Sequence, residues 1–266
     1  MNRVARLLPA LAVILLAVVG PLFAPHGSTE PVTAPYALPG PGVPLGGDQL
    51  GRDVLSRLLV GGRDLLVASA VIAVIVTGLA AILGAVVALR PALGAVIAHT
   101  ADLLILLPVA LGIMVVGVIW PGSGRIPVIV AAIVLGTPFA FRVAAAAAAP
   151  VAASGFVEVA SARGERTLSL VFREILPNLR ATLVTLLGLR FVDAVYVVAT
   201  ASFLEVGTQP PAADWALMIR ENADGTLLNP WAVLAPSLAI AVLTANVSLA
   251  FDVLTPQARN RMVTRL

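Results

Sequence analysis

The sequence contains no cysteine and no lysine among its 266 residues, and charged residues make up only 12% of it. Without cysteine the chain forms no disulfide, has no thiolate nucleophile and offers no cysteine ligand to a metal. Without lysine it cannot complete the Gly-Lys-Ser/Thr end of a phosphate-binding loop, so we expect no ATP site in this chain. No metal site and no nucleic-acid partner are expected either.

Histidine is also scarce, since the chain has only His26 and His99, and no Gly-x-Ser-x-Gly sequence occurs. A hydrolase needs a nucleophile and a base within reach of each other. The two histidines lie in a polar segment and at the edge of an apolar run, so the sequence argues against an intramembrane hydrolase and against catalytic residues in general.

The chain is instead rich in long apolar runs. Hydrophobic residues form 59% of it, and its mean hydropathy is +1.01, whereas soluble chains carry about 25% charged residues. A bilayer-spanning helix needs roughly 18 or more apolar residues. Six runs meet this requirement and predict an all-α membrane protein with six transmembrane helices: Leu7–Ala24, Leu65–Leu89, Leu103–Trp120, Ile126–Ala149, Ala181–Leu204 and Pro230–Phe251.

The first run has a signal peptide as its alternative interpretation. It follows Arg3 and Arg6, but it is longer than a usual signal-peptide core, and prolines stand where a small-residue cleavage site would be. We therefore expect a retained first span.

The arginines predict the orientation. With the amino terminus in the cytoplasm, eleven of the seventeen arginines lie at the inner side, five lie outside, and Arg190 lies within the fifth span. This distribution follows the positive-inside rule. It places both termini, the basic tail 256–266 and the polar segment Glu158–Asn178 in the cytoplasm. Asp252, near the inner end of the last span, is expected to lie at the membrane boundary beside arginines.

The segment Glu158–Asn178 is a polar island between two apolar runs. Ser154 is expected to cap a short helix, and Gly164 to end that helix with a positive φ that other residues resist. One face of this helix would be apolar, with Phe156, Val159 and Ala160, and the opposite face polar, with Glu158, Ser161 and Glu165.

A second short helix is predicted by four apolar residues at helical spacing, Leu168, Val171, Phe172 and Ile175, and Pro177 is expected to end it. The two apolar faces have no evident place within the chain. Either the hairpin lies on lipid, or it lies in a groove of another protein, as amphipathic helices do. Interleaved arginines and glutamates favour the groove.

The segment from His26 to Gly47 is rich in proline and glycine and is expected to be irregular. After it, Asp53 is predicted to cap a short interfacial helix and to pair with Arg57, and Gly61-Gly62 to break that helix before the second span. Near the fifth span, a short surface helix is expected over Trp215–Asn222, with Trp215 at the membrane interface.

Three features lie within or beside the spans. His99 is expected to be interfacial, and Pro108 to kink the third span. Arg190 and Asp193 are three residues apart and share a face of the fifth span. Ionisable groups at that depth either mark a transport pathway or form a neutralising structural pair, and the sequence leaves both open.

The island resembles the cytoplasmic motif of the permease subunits of ATP-binding-cassette (ABC) importers, with Glu158-Val159-Ala160, then Gly164, then Leu176-Pro177-Asn178. Val159 stands where the family has alanine, and Glu174 where many members have histidine.

Two outer stretches and the third span narrow the resemblance to the dipeptide and oligopeptide branch. Leu45–Asp64 is similar to its outer Gly-Arg-Asp motif (Gly51, Arg52, Asp53), and Phe203–Trp215 to its outer loop (Gly207, Gln209, Pro210, Pro211, Trp215). Asp102–Pro108 matches its third-helix pattern, although His99 replaces an expected arginine.

This resemblance implies a type I importer permease fold in the inner membrane of a prokaryote. The chain would divide into a first span with an outer segment and interfacial helix (1–62), a five-helix core (63–255) with a coupling loop (150–180), and the tail (256–266). Its partners would be a homologous permease, two ATPase subunits that bind ATP and magnesium, an external solute-binding protein, a peptide substrate and membrane lipid. Phe156, Glu158, Val159, Ala160, Ser161 and Gly164 would dock on an ATPase.

Other functions remain open at this stage. The solute could be a nickel complex or another non-peptide. A secondary transporter should show internal repeats and broken helices, and no convincing repeat is present. A structural or signalling membrane subunit would use the island for binding without transport.

Overall fold

The structure is a computed structural model that describes residues 3–120 and 124–254, with side chains described for 11–90, 94–120 and 124–251. The described residues form helices and loops with only isolated β-bridges between loop residues. Within residues 3–120 and 124–254, eleven α-helices follow in chain order: α1 (Arg3–Val19), α2 (Val54–Leu89), α3 (Pro91–Ile105), α4 (Val109–Ile119), α5 (Ile126–Ala152), α6 (Gly155–Ala162), α7 (Thr167–Ser169), α8 (Leu176–Asn178), α9 (Arg180–Phe203), α10 (Trp215–Asn222) and α11 (Trp231–Leu254).

The predicted all-α membrane architecture is confirmed at the level of apolar helices. Among the described residues, α2, α5, α9 and α11 are each long and apolar enough to cross a bilayer, and α3 with α4 adds a fifth span if the bent pair counts as one. The described apolar part of the first helical region, Leu11–Phe23, is shorter. Six spans and cytoplasmic termini stay predictions. The side chains of Arg3, Arg6 and Asp252 and the tail 256–266 lie outside the described residues.

Helix α2 runs without interruption for 36 residues, so the predicted break at Gly61-Gly62 is wrong. Asp53 caps it as predicted, since its carboxylate accepts the backbone N–H groups of Leu55 and Ser56. The helix is about 54 Å long, longer than the roughly 30 Å of hydrocarbon in a bilayer. The predicted interfacial helix is therefore the first part of α2, and the proposed division between residues 62 and 63 falls inside a helix.

The third span is broken, as its proline predicted. Pro108 has an extended backbone and lies between α3 and α4, whose axes differ by 84°. The apolar helix also begins earlier than the sequence suggested, because α3 starts at Pro91. On α3, exposed His99 bonds through Nδ1 to the carbonyl of Ala95 at 2.6 Å, within its own helix, and Asp102 pairs with Arg142 of α5.

Helix α2 lies at the centre of the bundle, between α5 and α9. The facing positions carry small residues, which let helix backbones approach closely in a membrane. A Cβ atom added to Gly84 would lie 2.7 Å from the backbone nitrogen of Ala145 on α5. The buried core that results includes Leu65, Ile72 and Val76 of α2 with Leu186 and Phe191 of α9.

Two long segments rich in loops lie at the N-terminal end of α2: residues 24–53, and residues 204–230, which include α10. We call them together the loop layer. The first of them is irregular, as predicted, and is held by isolated bridges such as Pro31 with Arg52. Near this end Arg125 pairs with Asp64 of α2 at 2.6 Å. The segment 155–178 packs instead near the other end of α2, close to Ala85 and Leu89, so the loop layer and this segment are separated by most of the length of α2.

Candidate functional site

The segment 155–178 begins with the short helix α6, which lies between Ser154 and Gly164. Ser154 is the residue before α6 and has extended backbone, but its side chain does not cap the helix. Its hydroxyl donates instead to the carbonyl of Val151 at 2.5 Å, so the predicted side-chain cap is wrong. At the other end, Gly164 has the predicted positive φ, +80°.

Helix α6 turns one residue into the protein and leaves its predicted apolar face outside. Val157 is 2% exposed, whereas Phe156 is 49% and Val159 is 53% exposed. Glu158 and Ser161 are exposed too, and Ala160 is half-buried. The structure therefore brings the six predicted docking residues together on one short hairpin, with apolar and polar groups side by side on its free surface.

The second part of the hairpin is a π-helix, Leu170–Ile175, rather than the α-helix that the spacing predicted. Leu170, Val171 and Ile175 are buried. Val171 and Ile175 pack with residues of α2 and α5 in a separate small core. Leu168 and Phe172 point outward, 62% and 54% exposed. The predicted single stripe is thus divided, because the wider π turn changes which residues share a face.

Pro177 does not end the helix, contrary to the prediction. Leu176 before it keeps right-handed helical dihedrals, and Pro177 lies in the first turn of α8, which leads directly into α9. A proline is tolerated there because the N–H groups of a first helical turn have no partner within the helix. The hairpin is consequently continuous with a membrane helix.

Further contacts fix the hairpin to the bundle. Arg90, at the junction of α2 and α3, donates from Nη2 to the Thr167 hydroxyl at 3.0 Å. The Ser169 hydroxyl donates to the Glu165 carboxylate at 3.0 Å, within the part of the hairpin that follows the elbow at Gly164. Together with the buried Val171 and Ile175, the bond from Arg90 to Thr167 holds one face of the hairpin on the bundle and leaves the other face free.

Arg190 and Asp193 form an ion pair on α9, with Nη2 and Oδ2 2.5 Å apart. Both side chains line a cavity of about 510 Å³ between α2, α5, α9 and the α3–α4 break. The Arg190 guanidinium carbon lies 5.1 Å from the centre of the Phe139 ring. The two predicted pathway residues therefore face a real cavity, about halfway along a membrane-length helix.

The outer Gly-Arg-Asp motif takes part in a buried ion cluster, which we define as Asp48, Arg52, Arg57 and Glu221. The Asp48 carboxylate accepts bonds from Arg52 Nε at 2.6 Å and from Arg57 Nη1 at 2.5 Å. Glu221, from the other half of the loop layer, accepts from the same two arginines at 3.1 and 2.7 Å. All four side chains are at most 5% exposed.

One prediction about this motif needs correction. Arg57 does not pair with Asp53, whose carboxylate accepts instead from the Ser56 hydroxyl at 2.6 Å and lies 3.3 Å from Nδ1 of His26. Gly51 has a φ of +75°, and a Cβ there would come within 2.1 Å of the carbonyl oxygen of Thr33. The motif is therefore a folding device at the start of α2.

Trp215 is fully buried, not interfacial as predicted, and α10 is not a surface helix. The indole N–H donates to the carbonyl of Leu58 at 2.7 Å. The ring lies against Gly61 and Gly62, which explains the two glycines of α2. Burial raises the pKa of the neighbouring Asp214 carboxyl, which caps α10 by accepting from the N–H groups of Ala216 and Leu217.

The remaining predicted residues of the outer loop lie at the edge of the loop layer. The Gln209 side-chain amide donates to the carbonyl of Glu205, and the bond between Pro210 and Pro211 is cis. The residues that sequence reasoning missed are Asp48 and Glu221. Asp48 could have been found, because it stands four residues before Arg52, but no local pattern marks Glu221, 164 residues after Arg57.

Comparison with known proteins agrees with this arrangement. Residues 77–260 match the family described as binding-protein-dependent transport system inner membrane component. The chain is 30% identical to the di/tripeptide transport system permease protein DppC of Pseudomonas aeruginosa, over 96% of this chain and 88% of that protein. It is 28% identical to the dipeptide transport system permease protein DppC of Haemophilus influenzae over the same shares. It is 29% identical to the glutathione transport system permease protein GsiD of Pectobacterium atrosepticum, over 84% of this chain and 72% of that protein.

Proposed function

The chain belongs to the family of binding-protein-dependent transport system inner membrane components, and we propose that it is a membrane subunit of an ATP-driven importer of short peptides. The similar proteins whose names specify a solute are permeases for dipeptides, tripeptides or glutathione, itself a small peptide. A non-peptide solute such as a nickel complex has no comparable support.

In this proposal the chain spans the inner membrane of a prokaryote six times, with both termini in the cytoplasm. It pairs with a homologous permease, receives its solute from an external binding protein and is driven by two ATPase subunits. ATP and magnesium bind to those ATPases, and this chain contributes no catalytic residue.

The hairpin 155–178 carries the proposal, because it combines a free face with a fixed one. Phe156 and Val159 are about half exposed, which suits insertion into a groove of a partner protein. Val171 and Ile175 are fully buried against α2 and α5. A movement of the partner would therefore be passed to the membrane helices as a rigid displacement, as in domain-closure mechanisms.

The absence of native cysteine gives a direct test. A single cysteine at Ser161, which is exposed on α6, is placed in the assembled transporter, and a bifunctional crosslinker is added to membranes with and without ATP. We expect an adduct between this chain and an ATPase, with a yield that changes on ATP binding.

A matched control is a single cysteine at Leu227, which is 98% exposed in the loop layer at the other end of the bundle. It should give no ATPase adduct. If a correctly inserted Ser161→Cys chain also gives none, the hairpin lies on lipid, and a secondary transporter or a structural subunit becomes the better interpretation.

A further inference from the structure

The cavity at Arg190 has the size of a binding site for a small solute. Its volume of about 510 Å³ lies within the roughly 300–1,000 Å³ that small-molecule pockets occupy. Its walls come from five helices, α2, α3, α4, α5 and α9, and from Leu107, in the break between α3 and α4. Most of the lining is apolar, and among the described side chains Arg190 and Asp193 are the only charged residues in it.

Arg190 has unused binding capacity in this cavity. Its side chain is 11% exposed, and it is held by Asp193 through Nη2 and by the face of the Phe139 ring. Its Nε is buried and has no hydrogen-bond partner. A guanidinium carries five N–H donors in a planar fork that matches a carboxylate. Its pairing with Asp193 therefore leaves donors for a further acceptor.

Asp193 is positioned to bind a cation at the same time. Its side chain is 56% exposed, and Oδ2 contacts Arg190. An ionised carboxylate can accept about four hydrogen bonds, so most of its capacity remains free. The pair thus presents one cationic and one anionic group to the same cavity.

We infer that Arg190 and Asp193 bind the two charged ends of an unblocked short peptide as it passes through the membrane. The peptide carboxylate binds Arg190, the peptide ammonium binds Asp193, and the apolar walls contact its side chains. This inference rests on the proposed importer function and goes beyond it, because it assigns part of the selectivity to this subunit rather than to the external binding protein.

Charge balance favours a zwitterion over other solutes. The ion pair is neutral as a whole, and so is a peptide with free ends and uncharged side chains. Its entry therefore leaves every charge in the cavity with a partner, whereas an anion or a cation alone would leave Asp193 or Arg190 uncompensated. Loss of the partner costs most at Arg190, whose side chain is only 11% exposed, since an uncompensated charge in a low-dielectric interior is strongly unfavourable.

The test measures protection of one cysteine by defined peptides. Leu107→Cys, on a side chain that lines the cavity and is 52% exposed, is introduced into the complex of this chain, its partner permease and the ATPases in lipid nanodiscs. Modification by a thiol reagent is followed by the mass of this chain, which has no other cysteine. The probes are dialanine, N-acetyl-dialanine and dialanine amide, without binding protein.

We expect dialanine to slow the modification, and each blocked peptide to require at least about tenfold higher concentration for the same effect, since each lacks one charge-assisted contact. Asp193→Asn should remove the difference between dialanine and its N-acetyl form. Arg190→Gln should remove the difference between dialanine and its amide. Arg190→Lys should retain part of that second difference, which separates loss of charge from loss of folding.

Arg142→Gln is the matched control, because it breaks a similar ion pair with Asp102 that does not line this cavity. It should leave all three protection curves unchanged.

Equal protection by all three peptides, or discrimination that survives in both variants, would overturn the inference. The inference would also be overturned if protection of the cysteine depended on the amount of lipid with ammonium headgroups in the nanodisc and not on the peptide added. If ATPase activity is still stimulated by the loaded binding protein in these cases, the importer function stands and only the peptide site falls. If that stimulation is absent in the unmodified complex, the proposed function itself falls.

Discussion

At the level of single residues, the loop layer depends on charges that have been removed from water. Arg57 is 0% exposed and is held by Asp48, by Glu221 and by the carbonyl of Ala212 at 3.2 Å. A buried ion pair contributes little net stability by its presence, but the removal of one partner leaves an uncompensated charge in the interior.

Replacement of Arg57 by alanine should therefore destabilise the protein strongly. Two carboxylates would be left beside a single arginine, and we expect a loss of about 3–5 kcal/mol in unfolding free energy. Thermal unfolding of the purified protein and its abundance in membranes measure this. Arg63→Ala is the control, since Arg63 is exposed in the same helix, and equal melting temperatures for the two variants would contradict the role of the cluster.

Gly62 shows how a single missing methyl group allows two elements to meet. A Cβ at this position would lie 2.3 Å from Cζ2 of Trp215. We expect Gly62→Ala to destabilise the protein by about 1–3 kcal/mol through overpacking.

The matched variant is Gly78→Ala in the same helix, where an added Cβ meets no atom within 4 Å. This change should be neutral or stabilising by up to about 1 kcal/mol, because alanine favours helix. Thermal melts of both proteins decide the matter, and a lower melting temperature for Gly78→Ala than for Gly62→Ala would show that contact with Trp215 is not the cause.

At the level of elements, the hairpin 155–178 has one fixed and one free face, as the proposed coupling to an ATPase requires. The π-helix Leu170–Ile175 places Val171 and Ile175 against α2 and α5. Gly164 sets the direction of α6 relative to these two buried side chains. A Cβ added at Gly164 would meet no atom within 4 Å, so only the φ of +80° disfavours other residue types there.

Gly164→Ala should therefore impair coupling while the chain still inserts. An L-residue in the left-handed region costs roughly 1–2 kcal/mol. The short elbow at Gly164 would relieve this strain by turning α6 away from its proposed docking position. Peptide uptake should fall while the abundance of the chain holds. Gly155→Ala is the control, because this glycine also has open space around it but no positive φ. Normal uptake by Gly164→Ala would exclude the elbow as a coupling element.

At the level of the whole molecule, the two polar regions lie at opposite ends of α2. The loop layer covers the N-terminal end, and the hairpin packs near Ala85 and Leu89 at the other end. Arginine placement predicts that the hairpin end is cytoplasmic. Because the two regions lie at opposite ends of α2, labelling one residue in each region measures the orientation of the chain.

We expect a single cysteine at Leu227 to react with a membrane-impermeant thiol reagent in cells whose envelope outside the inner membrane has been permeabilised. Cysteine at Ser161 should react only after the inner membrane is permeabilised. Both side chains are exposed in the protein, so a difference reports sidedness rather than burial. The reverse pattern would mean that the chain has the opposite orientation.

The features that could be predicted from the sequence are those that depend on neighbours within a few residues. These are the apolar helices, the break at Pro108, the cap at Asp53 and the positive φ of Gly164. The position of the hairpin motif between two spans was also predicted from local composition, and it needs no information about distant contacts.

Which helix faces and which charged groups meet depends on the packing of the helices. Trp215 fills the space above two glycines of α2, Arg57 binds a glutamate 164 residues away, and Val171 separates from Phe172 through a π turn. Spacing along the chain cannot predict these contacts, because residues far apart in sequence become partners only when helix packing brings them together. The same physical reason explains why the sequence could place Arg190 and Asp193 on one face, while the cavity that they share exists only between packed helices.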